Sequence, residues 1–134
     1  MKIVVSGSML FYNAMIECAK VLEGYNFNVT LPQEDKDLFY KDEYKKEASR
    51  LHFCKIADPS TDSILVLNKR KNGIDNYIGA NTFAEVALAF YFNKKIFLLN
   101  DYYDIYKDEL IAWGAKPLKG NLKSMISLIN ESGY

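Results

Sequence analysis

The chain has 134 residues, of which 49% are hydrophobic, and this length is sufficient to bury one core without disulfides or metal ions. We therefore predict a single domain covering residues 1–134. Basic and acidic residues both number 17, so the formal net charge is zero and a nucleic acid polymer is not an expected partner. With one histidine and two cysteines, no Cys/His metal site or disulfide framework is recognisable, and we expect neither a metal nor a cofactor.

The N-terminal sequence lacks the pattern of a secretion signal. Only three apolar residues separate Lys2 from Ser6, which is shorter than the core of a signal peptide. No stretch of the chain approaches the length of a membrane span. We therefore expect a cytoplasmic protein without a membrane partner.

The first half of the chain alternates predicted strands and helices. A strand at 2–6 leads through Ser6-Gly7-Ser8 into a helix at 13–23, and a short strand follows at 28–31. The inward face of that helix is predicted to carry Met15, Cys18, Ala19 and Leu22. A charged, solvated helix, either continuous or broken, is predicted within 33–56, with apolar contacts at Leu38, Phe39, Leu51, Phe53 and Ile56.

The second half continues the same alternation. Apolar runs at 63–67 and 96–99 predict buried strands, and the helix between them places Phe83, Val86, Ala87 and Phe90 at helical spacing. A fifth strand at 115–118 and a last helix at 121–129 complete the pattern. The order predicts a three-layer α/β fold of the flavodoxin or Rossmann-like type, with a doubly wound, parallel five-stranded sheet in the order 2-1-3-4-5.

In this strand order, the carboxyl ends of the first and third strands flank the switch point of the sheet. Ser6, Gly7 and Ser8 should therefore face the loop at 68–81, with Glu85 at its edge. The Ser-Gly-Ser triplet lacks the dinucleotide fingerprint, but it can present N–H groups and hydroxyls to a sugar or phosphate. The alternative is a tight turn with a serine cap.

Glu85 is the one acidic residue in a helix that is otherwise almost wholly apolar. The local pattern favours a capping box, in which Thr82 and Glu85 satisfy each other's backbone N–H groups. In the functional interpretation, the carboxylate faces the crevice at the carboxyl ends of the strands and the helix dipole keeps it ionised.

The central segment resembles the nucleoside 2-deoxyribosyltransferase-like family, which includes deoxynucleoside monophosphate N-glycosidases. The resemblance rests on an apolar strand between Asp62 and Asn68, on YIGANTFAEVA at 77–87 and on KKI at 94–96. Weaker similarity extends to SGS at 6–8 and IAWG at 111–114. It implies that Glu85 is a catalytic nucleophile that cleaves or transfers the N-glycosidic bond of a nucleoside, a deoxynucleoside or its 5′-monophosphate.

Position and resemblance together suggest a set of binding residues. The candidates for substrate binding are Ser6, Gly7, Ser8, Asn68, Tyr77, Gly79 and Asn81. Family members complete each site with a residue from a neighbouring subunit, and the corresponding position here is Glu109, close to Trp113. We therefore expect a homodimer or larger homo-oligomer, although the aromatic residues around Trp113 equally fit packing within one monomer. The basic run at 69–71 fits a solvated surface, with phosphate capture as the alternative.

The sequence departs from the family at the general acid, because the expected acidic residue falls at Cys54. His52, Asp58 and Asp75 lie nearby in sequence, and the pattern does not choose among them. A non-catalytic nucleotide-binding or sensing module therefore stays open as a second function. Flavin binding has only the fold class in its favour, and a response-regulator receiver domain is excluded because the strands end without its acidic residues.

Overall fold

Within the residues that the structure describes, five strands alternate with five α-helices. The computed structural model describes residues 1–33 and 42–131. The strands are β1 (Lys2–Gly7), β2 (Asn28–Thr30), β3 (Ser63–Leu67), β4 (Lys95–Leu98) and β5 (Lys116–Pro117). The helices are α1 (Tyr12–Gly24), α2 (Asp42–Ala57), α3 (Ala80–Tyr91), α4 (Lys107–Ala112) and α5 (Ser124–Asn130). Short 3-10 helices at Met9–Phe11 and Asp104–Tyr106 precede α1 and α4.

The strands form one parallel sheet in the order β2-β1-β3-β4-β5. β1 lies at the switch point, with Lys2 opposite Asn28 of β2 and Gly7 opposite Leu67 of β3. This arrangement confirms the predicted fold class and strand order. The carboxyl ends of β1 and β3 therefore meet at one edge of the sheet, where this fold leaves a crevice.

The two faces of the sheet bury two separate clusters because side chains alternate along each strand. Ile3 and Val5 of β1 pack with α1 and α5 on one face, and Val4 packs with α2, α3 and α4 on the other. The alternation places the Ser6 side chain on the α2 and α3 face. The inward face of α1 is the predicted one, with Met15, Cys18, Ala19 and Leu22 buried.

Several predicted boundaries and contacts differ from the structure. The last helix begins at Ser124, after turns at 121–124, and β5 has only two residues. Leu51, expected as an apolar contact, is 45% exposed, because α2 instead buries His52 and Ile56, one turn apart. The predicted contacts at Leu38 and Phe39 lie outside the described residues.

The capping box predicted for α3 is wrong. The helix begins at Ala80 with Gly79 as N-cap, and no side chain of the described residues caps it. Its buried residues are Thr82, Glu85, Val86 and Ala89, so the buried stripe is rotated from the predicted one and Phe90 is exposed. Glu85 therefore lies on the face of α3 that packs against the rest of the protein.

Among the helices within 1–33 and 42–131, none has both the length and the apolar character needed to span a bilayer.

Candidate active site

The end of β1 and the first turns of α3 meet at a buried contact between two polar side chains. The Ser6 hydroxyl donates a hydrogen bond to Oε1 of Glu85. Ser6 is fully buried and Glu85 is 4% exposed. Since a charged carboxylate is costly to bury unless it is both paired and hydrogen-bonded, this contact needs an explanation beyond packing.

The other carboxyl oxygen of Glu85 faces the single histidine of the chain. Nε2 of His52, on α2, lies 3.5 Å from Oε2 of Glu85, and both side chains are more than nine-tenths buried. One side of the ring approaches the Val5 backbone, yet neither ring nitrogen makes a well-formed hydrogen bond with a residue of the described ranges. The imidazole can therefore still form a hydrogen bond with the carboxyl group.

Burial shifts the titration of both groups towards their neutral forms. It raises the pKa of Glu85 to about 7, and the hydrogen bond from Ser6 opposes the rise. Burial, together with the positive charge of Lys55, lowers the pKa of His52 to about 4 against the opposing contact with the Val5 backbone. Between these values the pair holds a single proton, which resides mainly on Glu85, and perturbation of this kind is typical of functional sites.

A cavity of about 230 Å³ opens beside this pair. It is bounded by the turn after β1, the segment after β2, one side of α2 and the first turns of α3. Its lining residues are Gly7, Met9, Pro32, Gln33, Tyr44, Lys45, Ala48, Ser49, His52, Asn81 and Glu85. The polar groups in this lining can bind a small polar ligand, and the carboxyl group of Glu85 is placed to act on it.

The backbone at Gly7 brings the end of β1 against β3. Gly7 has a φ of +154°, and a Cβ there would lie 3.1 Å from the Leu67 carbonyl oxygen and 3.2 Å from Cε of Met15. Only glycine fits this close approach without displacing its neighbours. The turn that carries Ser6 and Gly7 to the cavity thus depends on the absence of a side chain at position 7.

Ser8 serves as the cap of the turn that follows. Its hydroxyl accepts a hydrogen bond from the Leu10 N–H at 3.3 Å and another from the Lys71 ammonium at 3.3 Å. The serine-cap interpretation therefore describes what Ser8 does in this structure. Lys71 also lies over the Tyr77 ring at 5.1 Å, and Arg70 forms an ion pair with Asp75, so two residues of the basic run contact the protein itself.

The carboxyl end of β3 is organised differently. The Asn68 amide is fully buried, accepts from the Asn100 N–H at 2.9 Å and donates to the Asp101 carbonyl at 2.6 Å. It lies outside the cavity lining, as do Tyr77, which is half-buried against Tyr103, and Gly79, the N-cap of α3. The structure thus brings Ser6, Gly7, Asn81 and Glu85 together, whereas Asn68 holds the loop after β4.

Of the three candidates near Cys54 for a general acid, the structure brings one to Glu85. Asp58 is exposed and hydrogen-bonded to Ser60, and Asp75 is exposed beside Arg70. Cys54 itself is exposed on α2 and does not line the cavity. His52 alone among these residues approaches the Glu85 carboxyl group.

The contribution of α2 to the cavity was not expected from the sequence, which suggests a solvated surface helix. The lining residues Lys45, Ala48, Ser49 and His52 follow the 3.6-residue period of one helix face. One signal in the sequence could have identified this lining face. It carries two small residues, Ala48 and Ser49, and it ends at the sole histidine of the chain.

The neighbouring-subunit candidates lie on and next to α4. Glu109 is exposed, and Trp113 is half-buried, with its ring 5.4 Å from Phe83 and 5.2 Å from Phe90. Packing within the monomer thus accounts for Trp113 in this structure. Self-association stays a prediction.

Comparison with known proteins supports the fold only. The chain is similar to a conserved protein from Enterococcus faecalis V583 whose crystal structure is known, with a TM-score of 0.56, 13% sequence identity and coverage of 95% of each chain. No protein-family model matches the sequence. No curated protein matches it either. Within the described ranges, no group of three or more His, Cys, Asp or Glu residues is placed to hold a metal ion.

Proposed function

We propose that this protein cleaves or transfers the N-glycosidic bond of a nucleoside, a deoxynucleoside or a deoxynucleoside 5′-monophosphate, with Glu85 as the nucleophile. The observation that carries the proposal is the Glu85 carboxyl group, held by Ser6 at the wall of a cavity and partnered on its other side by an imidazole. The resemblance of the segment around Glu85 to the nucleoside 2-deoxyribosyltransferase-like family supplies the substrate class.

A carboxylate suits this chemistry because the anomeric carbon gains positive charge as the base departs. An oxygen of ionised Glu85 bonds to C1′ while the bond from C1′ to the base nitrogen breaks and its electron pair stays with the base. The base takes up a proton and leaves, and the sugar remains as an ester on Glu85. Water or a second base then bonds to C1′, loses a proton, and releases Glu85 as a carboxylate.

The position of Ser6 supports this role for Glu85. Its hydrogen bond to Oε1 favours the ionised form and fixes the rotamer of the carboxyl group, while Oε2 is directed towards His52. The negative charge leaves the carboxylate when the ester forms and returns when the ester is cleaved. The Ser6 hydroxyl can adjust its hydrogen bond at each of these steps. Such a preorganised donor is more effective in a buried site than in water.

The cavity supports a substrate of modest size. Its volume of about 230 Å³ is slightly below the ~300 Å³ at which typical ligand pockets begin, so a nucleoside is favoured over a dinucleotide. Gln33, Ser49 and Asn81 offer donors and acceptors for a sugar or base, and the Lys45 ammonium offers a partner for a 5′-phosphate.

The test is release of free base from a panel of deoxynucleosides and their 5′-monophosphates, followed by chromatography with and without an acceptor base. We expect Glu85→Gln to lower release at least about 1,000-fold, because the amide cannot form the ester. Glu47→Gln, an equivalent change at an exposed residue on α2 that pairs with Arg50, is the matched control and should keep wild-type activity.

Dependence on the acceptor base separates a transferase from a hydrolase. Full activity of Glu85→Gln would refute the proposal. If nucleotide raises the melting temperature but wild type releases no base, the protein is a non-catalytic binding or sensing module. The buried carboxyl group would then bind ligand through hydrogen bonds alone.

A further inference from the structure

The imidazole beside Glu85 has no assigned role in the chemistry described above, although the departing base needs a proton. We propose that His52 is the general acid and base of this site and that it shares one proton with Glu85. This inference rests on the proposed function. It identifies the group that takes the place of the acidic residue expected at Cys54.

Three geometric observations carry the proposal. Nε2 of His52 lies 3.5 Å from Oε2 of Glu85, close enough for proton transfer after a small movement. His52 lines the cavity together with Glu85, so one ligand can lie beside both residues. Its ring nitrogens have no well-formed hydrogen bond within the described ranges, although the side chain is 92% buried, and unsatisfied buried groups of this kind are rare without a function.

The proton balance is complete with these two residues. In the resting site, the shared proton lies mainly on Glu85. When Glu85 bonds to C1′, its proton passes to His52, and the imidazolium gives it to the ring nitrogen of the departing base. In the second half, neutral His52 accepts a proton from the attacking water or from the N–H of an acceptor base. The proton then returns to the pair as Glu85 is released.

The shifted titration agrees with this geometry. Burial lowers the pKa of His52 to about 4, so its protonated form is a strong acid towards the weakly basic nitrogen of a nucleobase. The groups around the pair are Ser6 from β1, Tyr44 and Lys45 from α2 within the cavity lining, and Lys55 near the end of α2. The positive charge of Lys55 disfavours protonation of His52, which agrees with a shared proton that lies mainly on Glu85 at rest.

The first test is the pH dependence of kcat/KM for base release, measured from pH 5 to 9. If the pair must hold one proton, wild-type activity falls as pH rises above about 7, because that proton is lost. In His52→Gln no imidazole can pass that proton to the base, so the residual activity needs only ionised Glu85 and should rise through about pH 7. Profiles that rise in both proteins would overturn the proposal.

The second test varies the leaving group. For deoxyguanosine we expect His52→Gln to lower kcat roughly 100-fold or more with a small change in KM. With 2′-deoxy-7-methylguanosine, whose cationic base departs without a proton, the same variant should lose less than about threefold. Equal losses on both substrates would indicate a structural role and overturn the proposal. Cys54→Ala, at the exposed residue two positions along α2, is the matched control and should behave as wild type.

A third measurement needs no turnover. Because the chain has one histidine, its imidazole gives a single set of ¹⁵N signals. Proton sharing predicts that these signals in the wild type change near pH 7, where the pair loses its proton, and that Glu85→Gln abolishes this step. Identical titrations of the two proteins would overturn proton sharing. If the step is present but wild type releases no base, the proposed function fails while the shared proton stands.

Discussion

The carboxyl ends of β1 and β3 lie side by side at the switch point, yet they use their polar side chains in opposite ways. At the end of β3, the Asn68 amide accepts a hydrogen bond from the Asn100 N–H and donates one to the Asp101 carbonyl. At the end of β1, Ser6 binds an ionisable group, Glu85, whose second oxygen faces an imidazole that lacks a well-formed hydrogen bond within the described ranges. The end of β3 therefore stabilises the fold, whereas the end of β1 lies beside a cavity with hydrogen-bonding capacity that remains unused.

The difference shows that topology alone does not define a site. Both strand ends occupy the position where this fold binds ligands. The partners decide the outcome, because a neutral amide with matched partners is stable at every pH, whereas a buried acid beside a buried base costs free energy in at least one protonation state.

The largest expected effect concerns stability against pH. Glu85 has a folded-state pKa of about 7, above its ordinary 4.5, so its contribution is fully present below pH 4.5 and is lost as pH rises to about 7. His52 has a folded-state pKa of about 4, below its ordinary 6.5, so its contribution is lost as pH falls from 6.5 to about 4. Each contribution changes the free energy of unfolding by roughly 3 kcal/mol. Their pH dependences have opposite signs, so they nearly cancel in the wild type.

Single variants should separate the two contributions. Relative to wild type, Glu85→Gln should gain stability as pH rises from 4.5 to 6.5, and His52→Gln should lose it, each with a slope of about 1.4 kcal/mol per pH unit. Urea unfolding at four pH values from 4.5 to 7.5 measures this. Glu47→Gln, at an exposed carboxylate of α2, should follow the wild-type curve. Parallel curves for the two site variants would contradict the assigned titrations.

The fold was predictable because its main signals are local. The continuous apolar run of β3 and the packing face of α1 are recognisable from the sequence alone. The alternation of strands and helices then leaves few possible topologies. The crevice followed from that topology, which placed Ser6 and Gly7 near Glu85. The geometry of the switch point therefore needed no information beyond the order of the elements.

The partner of Glu85 was harder to predict because it depends on the rotation of two helices. In α2 apolar residues are scarce, so Leu51 suggests one orientation, whereas the helix buries His52 and Ile56 instead. In α3 the abundance of apolar residues hides the buried stripe, so Glu85 is mistaken for a cap. In a helix with too few or too many apolar positions, the hydrophobic pattern does not determine which face is buried.

A smaller effect is expected where the two strand ends touch. Gly7→Ala places a Cβ against the Leu67 carbonyl of β3 at a positive φ, and we expect a loss of about 2 to 3 kcal/mol in the free energy of unfolding. Gly24→Ala is the matched control, because a Cβ there meets no atom of residues 1–33 and 42–131 within 4 Å, and it should be neutral or slightly stabilising. Equal effects of the two changes would show that β1 and β3 tolerate a wider separation.

The smallest effect should come from the end of β3. Asn68→Ala leaves the Asn100 N–H and the Asp101 carbonyl without these partners, which should cost about 2 kcal/mol of stability at every pH from 5 to 8. The matched control is Asn13→Ala, at an exposed position on α1, which should change stability little. Since Asn68 lies outside the cavity lining, KM for base release should stay within about twofold of wild type. If KM rises while stability is unchanged, Asn68 binds substrate after all, and the two strand ends act together.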